Sequence, residues 1–173
     1  MMLRLLTGLT LAAGLALALP VAGFAQDDVI EYAPDDAVME AAIAEARATL
    51  PLFLEHALDA KGYGIEGAVL KVGFPTQGRT SMSKEHIWVS PFALHPDGTF
   101  VGLLANAPVD LGDLQEGDQV EFSQDMISDW HLTEPSGLFR GSYTSRVMYD
   151  AGAFGDTPFE QIFTAEPVPA DWK

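Results

Sequence analysis

Glu85-His86-Ile87-Trp88-Val89, the turn at Pro96-Asp97-Gly98, the run from Phe100 to Pro108, a second turn at Glu116-Gly117-Asp118 and the closing Ile127-Ser128-Asp129-Trp130 decide the fold. Two apolar runs joined through Asp-Gly signal a β-hairpin, because glycine tolerates the positive φ the turn requires. After the second turn, Gln119 to Ser123 alternates polar and apolar and extends the hairpin into a meander. Within the first run, Ile87 and Val89 share one face while His86, Trp88 and Ser90 share the other. Since Ile87 and Trp88 are both large and apolar, this strand is expected to be central and covered on both sides, with a helix over one of them.

Upstream, Asp35-Asp36 offers an N-cap, and Met39, Ile43, Ala46, Leu50, Phe53, Leu54 and Ala57 follow at helical spacing. Pro51 lacks the amide that would bond back to Arg47, which predicts a kink or break near Leu50. The glycines of Lys61-Gly62-Tyr63-Gly64 end the helical segment. Ala68 to Phe74 reads as a strand, and Pro75 to Ser83 as an exposed loop. Downstream, Leu138 to Tyr149 carries a strand signature and Thr157 to Phe163 a short helical one. The proline-stiffened Pro167-Val168-Pro169-Ala170-Asp171-Trp172 is expected to dock Trp172 onto the domain. The element order implies an α+β fold, an N-terminal amphipathic helix packed on a mainly antiparallel, meander-type sheet.

Met1 to Ala25 reads as a secretory signal peptide. Arg4 gives the positive start, Leu5 to Leu19 carries no charge, and Gly23-Phe24-Ala25 places small residues at the cleavage position. The apolar run falls short of the ~20 residues a membrane span needs, so no span is expected once the leader is cut. Residues 26–35 read as an acidic lead-in and 36–173 as a single domain. Loss of Arg4 takes the formal charge of −16 to −17. Such a surface repels phosphate backbones, which makes nucleic acid a poor candidate partner, and none is expected. The absence of cysteine excludes disulfides, thiolate metal sites and a cysteine nucleophile. Together these features predict a soluble periplasmic or secreted protein.

No hydrolase elbow, zinc-protease helix, phosphate loop, dinucleotide turn or calcium loop occurs, and no cofactor is called for. His86 and His131 lie at the two ends of the deciding stretch, each near an acid and a tryptophan. His86, Asp129 and His131 are the candidates for an acid–base pair or a metal site with nitrogen and oxygen ligands. Trp88, Trp130, Trp172, Tyr143 and Tyr149 form the second group. Their polar edges suit a face for glycan or peptide, with Arg140, Arg146, Asn106 and Asp129 as orienting groups; the competing reading is that the tryptophans fill the core.

The helix with Ala46-Arg47 and Phe53, the Glu85 to Val89 strand, Gly102 with Asn106-Ala107-Pro108, Gly117-Asp118 and Ile127-Ser128-Asp129-Trp130 together resemble the YegJ-like family, domain of unknown function 2314. The likeness continues through Gly141-Ser142-Tyr143-Thr144-Ser145-Arg146 and the Pro-x-Pro-x-x-Trp ending. It implies one unit across most of the mature chain. It supplies no catalytic residues, because the family is itself uncharacterised.

Three functions follow. The first is a non-enzymatic exported module that binds a protein or cell-envelope ligand through Trp88, Asn106, Asp129, Trp130, Tyr143 and Arg146. The second is a metal-assisted or acid–base hydrolase of an envelope polymer using His86, Asp129 and His131. The third is an acidic inhibitor of a basic secreted enzyme, held by steered association.

Overall fold

The computed structural model describes residues 36–173. The leader and the 26–35 lead-in lie outside the described residues. The chain begins with helix α1, Ala37–Ala57, whose first turn is capped by Asp36: its carboxylate accepts from the amides of Val38 at 2.9 Å and Met39 at 3.2 Å. Ala42, Ala46, Leu50, Phe53 and Ala57 form its buried stripe. The helix runs unbroken through Pro51, so no break occurs near Leu50. Pro51 sits on the exposed side, where the unpaired Arg47 carbonyl can turn to water, while Leu50 and Phe53 hold the inner side down.

Six strands follow: β1 Ala68–Pro75, β2 Lys84–Leu94, β3 Phe100–Leu104, β4 Gln119–Phe122, β5 Ile127–Thr133 and β6 Phe139–Gly141. They form one antiparallel sheet in the order β4-β3-β2-β1-β5-β6. The expected meander runs from β1 to β4. A single 3-10 turn, Gln124–Met126, then returns the chain to the free side of β1. Arg47 ties this return to α1, donating to the carbonyls of Ile127 at 2.9 Å and Asp125 at 3.2 Å. The α+β fold expected from the sequence is the fold observed.

Cross-strand partners share a face, so the pairings Leu70 with Val89 and Trp130, and Val72 with Ile87 and Ile127, define the helix side. There Phe53 of α1 stacks on Trp130 at 4.7 Å, and the indole nitrogen donates to the Ala46 carbonyl at 3.1 Å. The other face carries Lys71, His86, Trp88, Asp129 and His131. On β2 its cover is incomplete: Ile87 and Val89 are buried, whereas His86 is exposed and Trp88 and Ser90 are half-buried. This corrects the expectation of full cover on both sides, because α1 lies over the other face.

A second correction falls on Leu138 to Tyr149. The strand ends at Gly141, and Tyr143–Asp150 forms helix α2. Gly141 and Ser142 turn the chain with φ of 72° and 55°. Only glycine fits the first position, since a Cβ there would meet the Trp130 ring at 2.5 Å. The helical expectation over Thr157 to Phe163 survives as one 3-10 turn, Phe159–Gln161.

The tail docks as expected. Val168 is buried, and Trp172 stacks on His56 at 4.5 Å and on Trp130 at 6.3 Å. Trp172→Ala is therefore expected to cost about 2 kcal/mol of stability, read as a lower midpoint in urea unfolding; an unshifted midpoint contradicts the docking.

Candidate functional site

The site begins with an irregularity in β5. Lys71 pairs with Asp129 but Val72 pairs with Ile127, so Ser128 is the extra residue of a bulge. The bulge puts Ile127 and Trp130 on the helix side although they are three residues apart, and turns Asp129 to the other face beside Lys71 and Trp88.

Asp129 is fully buried. One oxygen accepts from the amides of Trp130 at 2.8 Å and Tyr143 at 3.2 Å; the other accepts from the Thr144 amide at 2.8 Å and its hydroxyl at 2.6 Å. Ser142, at the cap position of α2, gives no side-chain hydrogen bond. Asp129 supplies the cap instead, reaching across from the sheet to the helix's first amides. Burial holds its carboxyl above the usual range, against the opposing pull of Thr144 and Lys71. Lys71 joins through Thr144, donating to its hydroxyl oxygen at 3.2 Å, while the same ammonium lies 5.0 Å from the centre of the Trp88 ring.

His131, 5% exposed, lies between Trp88 and Phe139, each with its ring centre 4.8 Å away. Its Nε2 is buried and, among the described residues, has no hydrogen-bond partner. Burial, helped by Lys71, lowers its pKa to about 4, so the ring is neutral at pH 7. His86 lies over Gly73, with Nδ1 at 2.7 Å from Ser128 Oγ. Ser128 Oγ also lies 3.2 Å from the Lys71 carbonyl oxygen, so this one hydroxyl joins His86 to the backbone of β1. Desolvation, then the charges of Lys71, Lys84 and Arg47, lowers the His86 pKa to about 4.

This arrangement is poorly suited to acid–base chemistry. Asp129 spends its lone pairs on α2, and among the described residues neither histidine bonds to it. Ser128, the hydroxyl facing His86, is fully buried and closed to a substrate. Among the described residues no three acidic or histidine groups converge as metal ligands.

The sequence-derived binding residues fall into separate places. Trp88 is half-buried on the sheet face, and Asn106 accepts its backbone amide at 3.0 Å, fixing the strand edge. Trp130 is sealed in the core at 0% exposure, and Tyr143 is buried with its hydroxyl 3.0 Å from Thr49 Oγ1. Arg146 does not reach Asp129. It donates to the carbonyls of Gly141 at 2.8 Å and Thr164 at 2.9 Å and lies over Phe159 and Phe163, clamping the C-terminal segment. Arg140 pairs with Glu134. Lys71 was missed, although a lone lysine inside Ala-Val-Leu-Lys-Val-Gly-Phe was its signal.

A family model described as an uncharacterized protein conserved in bacteria, DUF2314, matches residues 36–154. The chain belongs to that family. Every residue of the Trp88 face lies inside the DUF2314 match, while the Val168 to Trp172 strap lies beyond it. The chain is 27% identical over 127 residues to the uncharacterized protein YegJ of Escherichia coli, covering 71% of this chain and 76% of that one. It is 31% identical over 85 residues to a putative ankyrin repeat protein of Neisseria meningitidis, covering 49% of this chain and 32% of the relative. No solved structure matches.

Two outcomes are expected. Trp130→Ala removes a sealed indole and its stack on Phe53, costing about 3–5 kcal/mol; a near-silent effect in urea unfolding contradicts its core position. His131 makes stability fall in acid. Above about pH 6.5 the ring is neutral folded and unfolded; as pH falls the unfolded chain takes the proton first, until the folded ring titrates near 4. The loss reaches about 3 kcal/mol across that window. Asp129 works in the opposite direction, so His131→Phe, which keeps an aromatic ring, isolates the imidazole. Unfolding measured at pH 7 and pH 5 should show a smaller acid loss in that variant, and equal losses contradict the assignment.

Proposed function

We propose that this DUF2314 protein is an exported, non-enzymatic module that binds a protein or cell-envelope ligand on the sheet face around Trp88. One observation carries the reading: of three tryptophans, Trp130 is sealed, Trp172 is half-buried but stacked on His56 of α1, and Trp88 is half-open on the sheet face turned from that helix. A half-open indole offers large contact area at little rotamer cost. The same sheet face also carries His86 and, further along, the half-buried Val101 and Leu103 of β3. The leader and the lack of cysteine support export to the periplasm or beyond, and the commitment of Asp129 to α2 supports binding over hydrolysis.

The test is capture from an envelope fraction by tagged protein. Wild type is expected to retain a partner that Trp88→Ala loses while its unfolding midpoint stays close to wild type. The reading fails if wild type retains nothing above background, or if Trp88→Ala binds equally well. Trp130→Ala and Arg146→Ala are unsuitable probes, because both side chains hold the fold.

A further inference from the structure

We propose that Lys71 couples the Trp88 face to helix α2, so that occupation of the indole loosens the helix cap. In this ligand-bound consequence it rests on the binding reading above; the coupling itself does not.

The path is short and continuous. The Lys71 ammonium lies 5.0 Å from the Trp88 ring centre and 3.2 Å from Thr144 Oγ1. Thr144 passes its hydroxyl hydrogen to Asp129 at 2.6 Å and its amide to the same oxygen at 2.8 Å. Thr144 and Asp129 are buried, at 3% and 0% exposure, so water does not replace a lost donor without opening the structure. The indole face holds the ammonium at the Thr144 hydroxyl; the hydroxyl, accepting from Lys71, is polarised to donate to Asp129; Asp129 holds the first amides of α2.

Among the described residues, Glu45 of α1 and Glu166 of the C-terminal segment act on Tyr143 and Arg146 beside this path. Tyr143 and Arg146 approach Asp129 from α2, and His131 follows it by two residues on β5. Lys71 is the cation whose charge reaches His86, Asp129 and His131 alike. A ligand that takes the ammonium's place on the Trp88 ring moves it from the ring, and the movement is felt at Thr144. By linkage, loosening the cap strengthens ligand binding in the same proportion.

Amide exchange in the ligand-free full chain tests the coupling. Trp88→Leu is expected to speed exchange at Tyr143–Asp150 about fivefold while β1 and β2 exchange at wild-type rates. In a Lys71→Met background, which has already lost the ammonium, Trp88→Leu should leave α2 exchange unchanged. A Lys71→Arg variant, which restores a cation able to reach both partners, should bring the response back. Equal acceleration by Trp88→Leu with and without Lys71 overturns the coupling, as does no acceleration in the wild-type background. Should Trp88→Leu disturb β1 and β2, Lys71→Met alone provides the second reading: it must itself speed α2 exchange, and Trp88→Phe must not add to that acceleration. Failure here leaves the capture experiment untouched, and failure of capture leaves these exchange rates untouched.

Discussion

A buried carboxylate must be given donors, and at Asp129 that requirement shapes the molecule. Removing an ionised group from water costs several kcal/mol unless hydrogen bonds and charge offset it. Four donors converge on Asp129, and two of them are the first amides of α2. The helix cannot leave without stranding the charge, and the charge cannot be tolerated without the helix. Because α2 also carries Arg146, which grips Phe159, Phe163 and the Thr164 carbonyl, the packing of the C-terminal segment depends on the same cap.

The bulge at Ser128 is what makes this possible. A regular β5 in register with β1 would put Ile127 and Trp130 on opposite faces. One extra residue lets both enter the core and still leaves Asp129 and His131 aligned with Lys71 and Val69 on the other side. The unpaired Nε2 of His131 costs about 1–3 kcal/mol. Its ring, enclosed between Trp88 and Phe139, contributes packing that works against that cost.

The antiparallel body was legible because its signals are local. The Asp97-Gly98 turn, the alternation in Glu85 to Ser90 and the stripe from Ala46 to Phe53 each specify their own element. What sequence could not reveal was non-local. Phe139 to Tyr149 has strand-like residues, yet its helix is capped by a carboxylate fourteen residues away, and Gly141 is required by the Trp130 ring behind it. The candidate residues separate for a related reason: Asp129, Trp130 and His131 look like one cluster in a line of text, but consecutive strand residues point to opposite faces. Trp130 went inward, its neighbours outward. The same period makes Lys71 the partner of both Trp88 and Asp129, a relation visible only once β1 is known to lie between β2 and β5.

Cations are scarce in this chain, nine against twenty-five acids, and where they go explains why the surface stays so negative. Arg47 and Arg146 bond to backbone carbonyls, Lys71 donates to the Thr144 hydroxyl, and Arg140 pairs with the Glu134 carboxylate. The basic side chains therefore act as ties between elements, and most of the acidic charge is left to water, where repulsion is screened over about 10 Å. Asp129 is the exception, since its screening must come from protein rather than solvent. Moving Lys71 consequently has an effect that moving a surface lysine would not: it changes the field on a buried charge that a whole helix is anchored to.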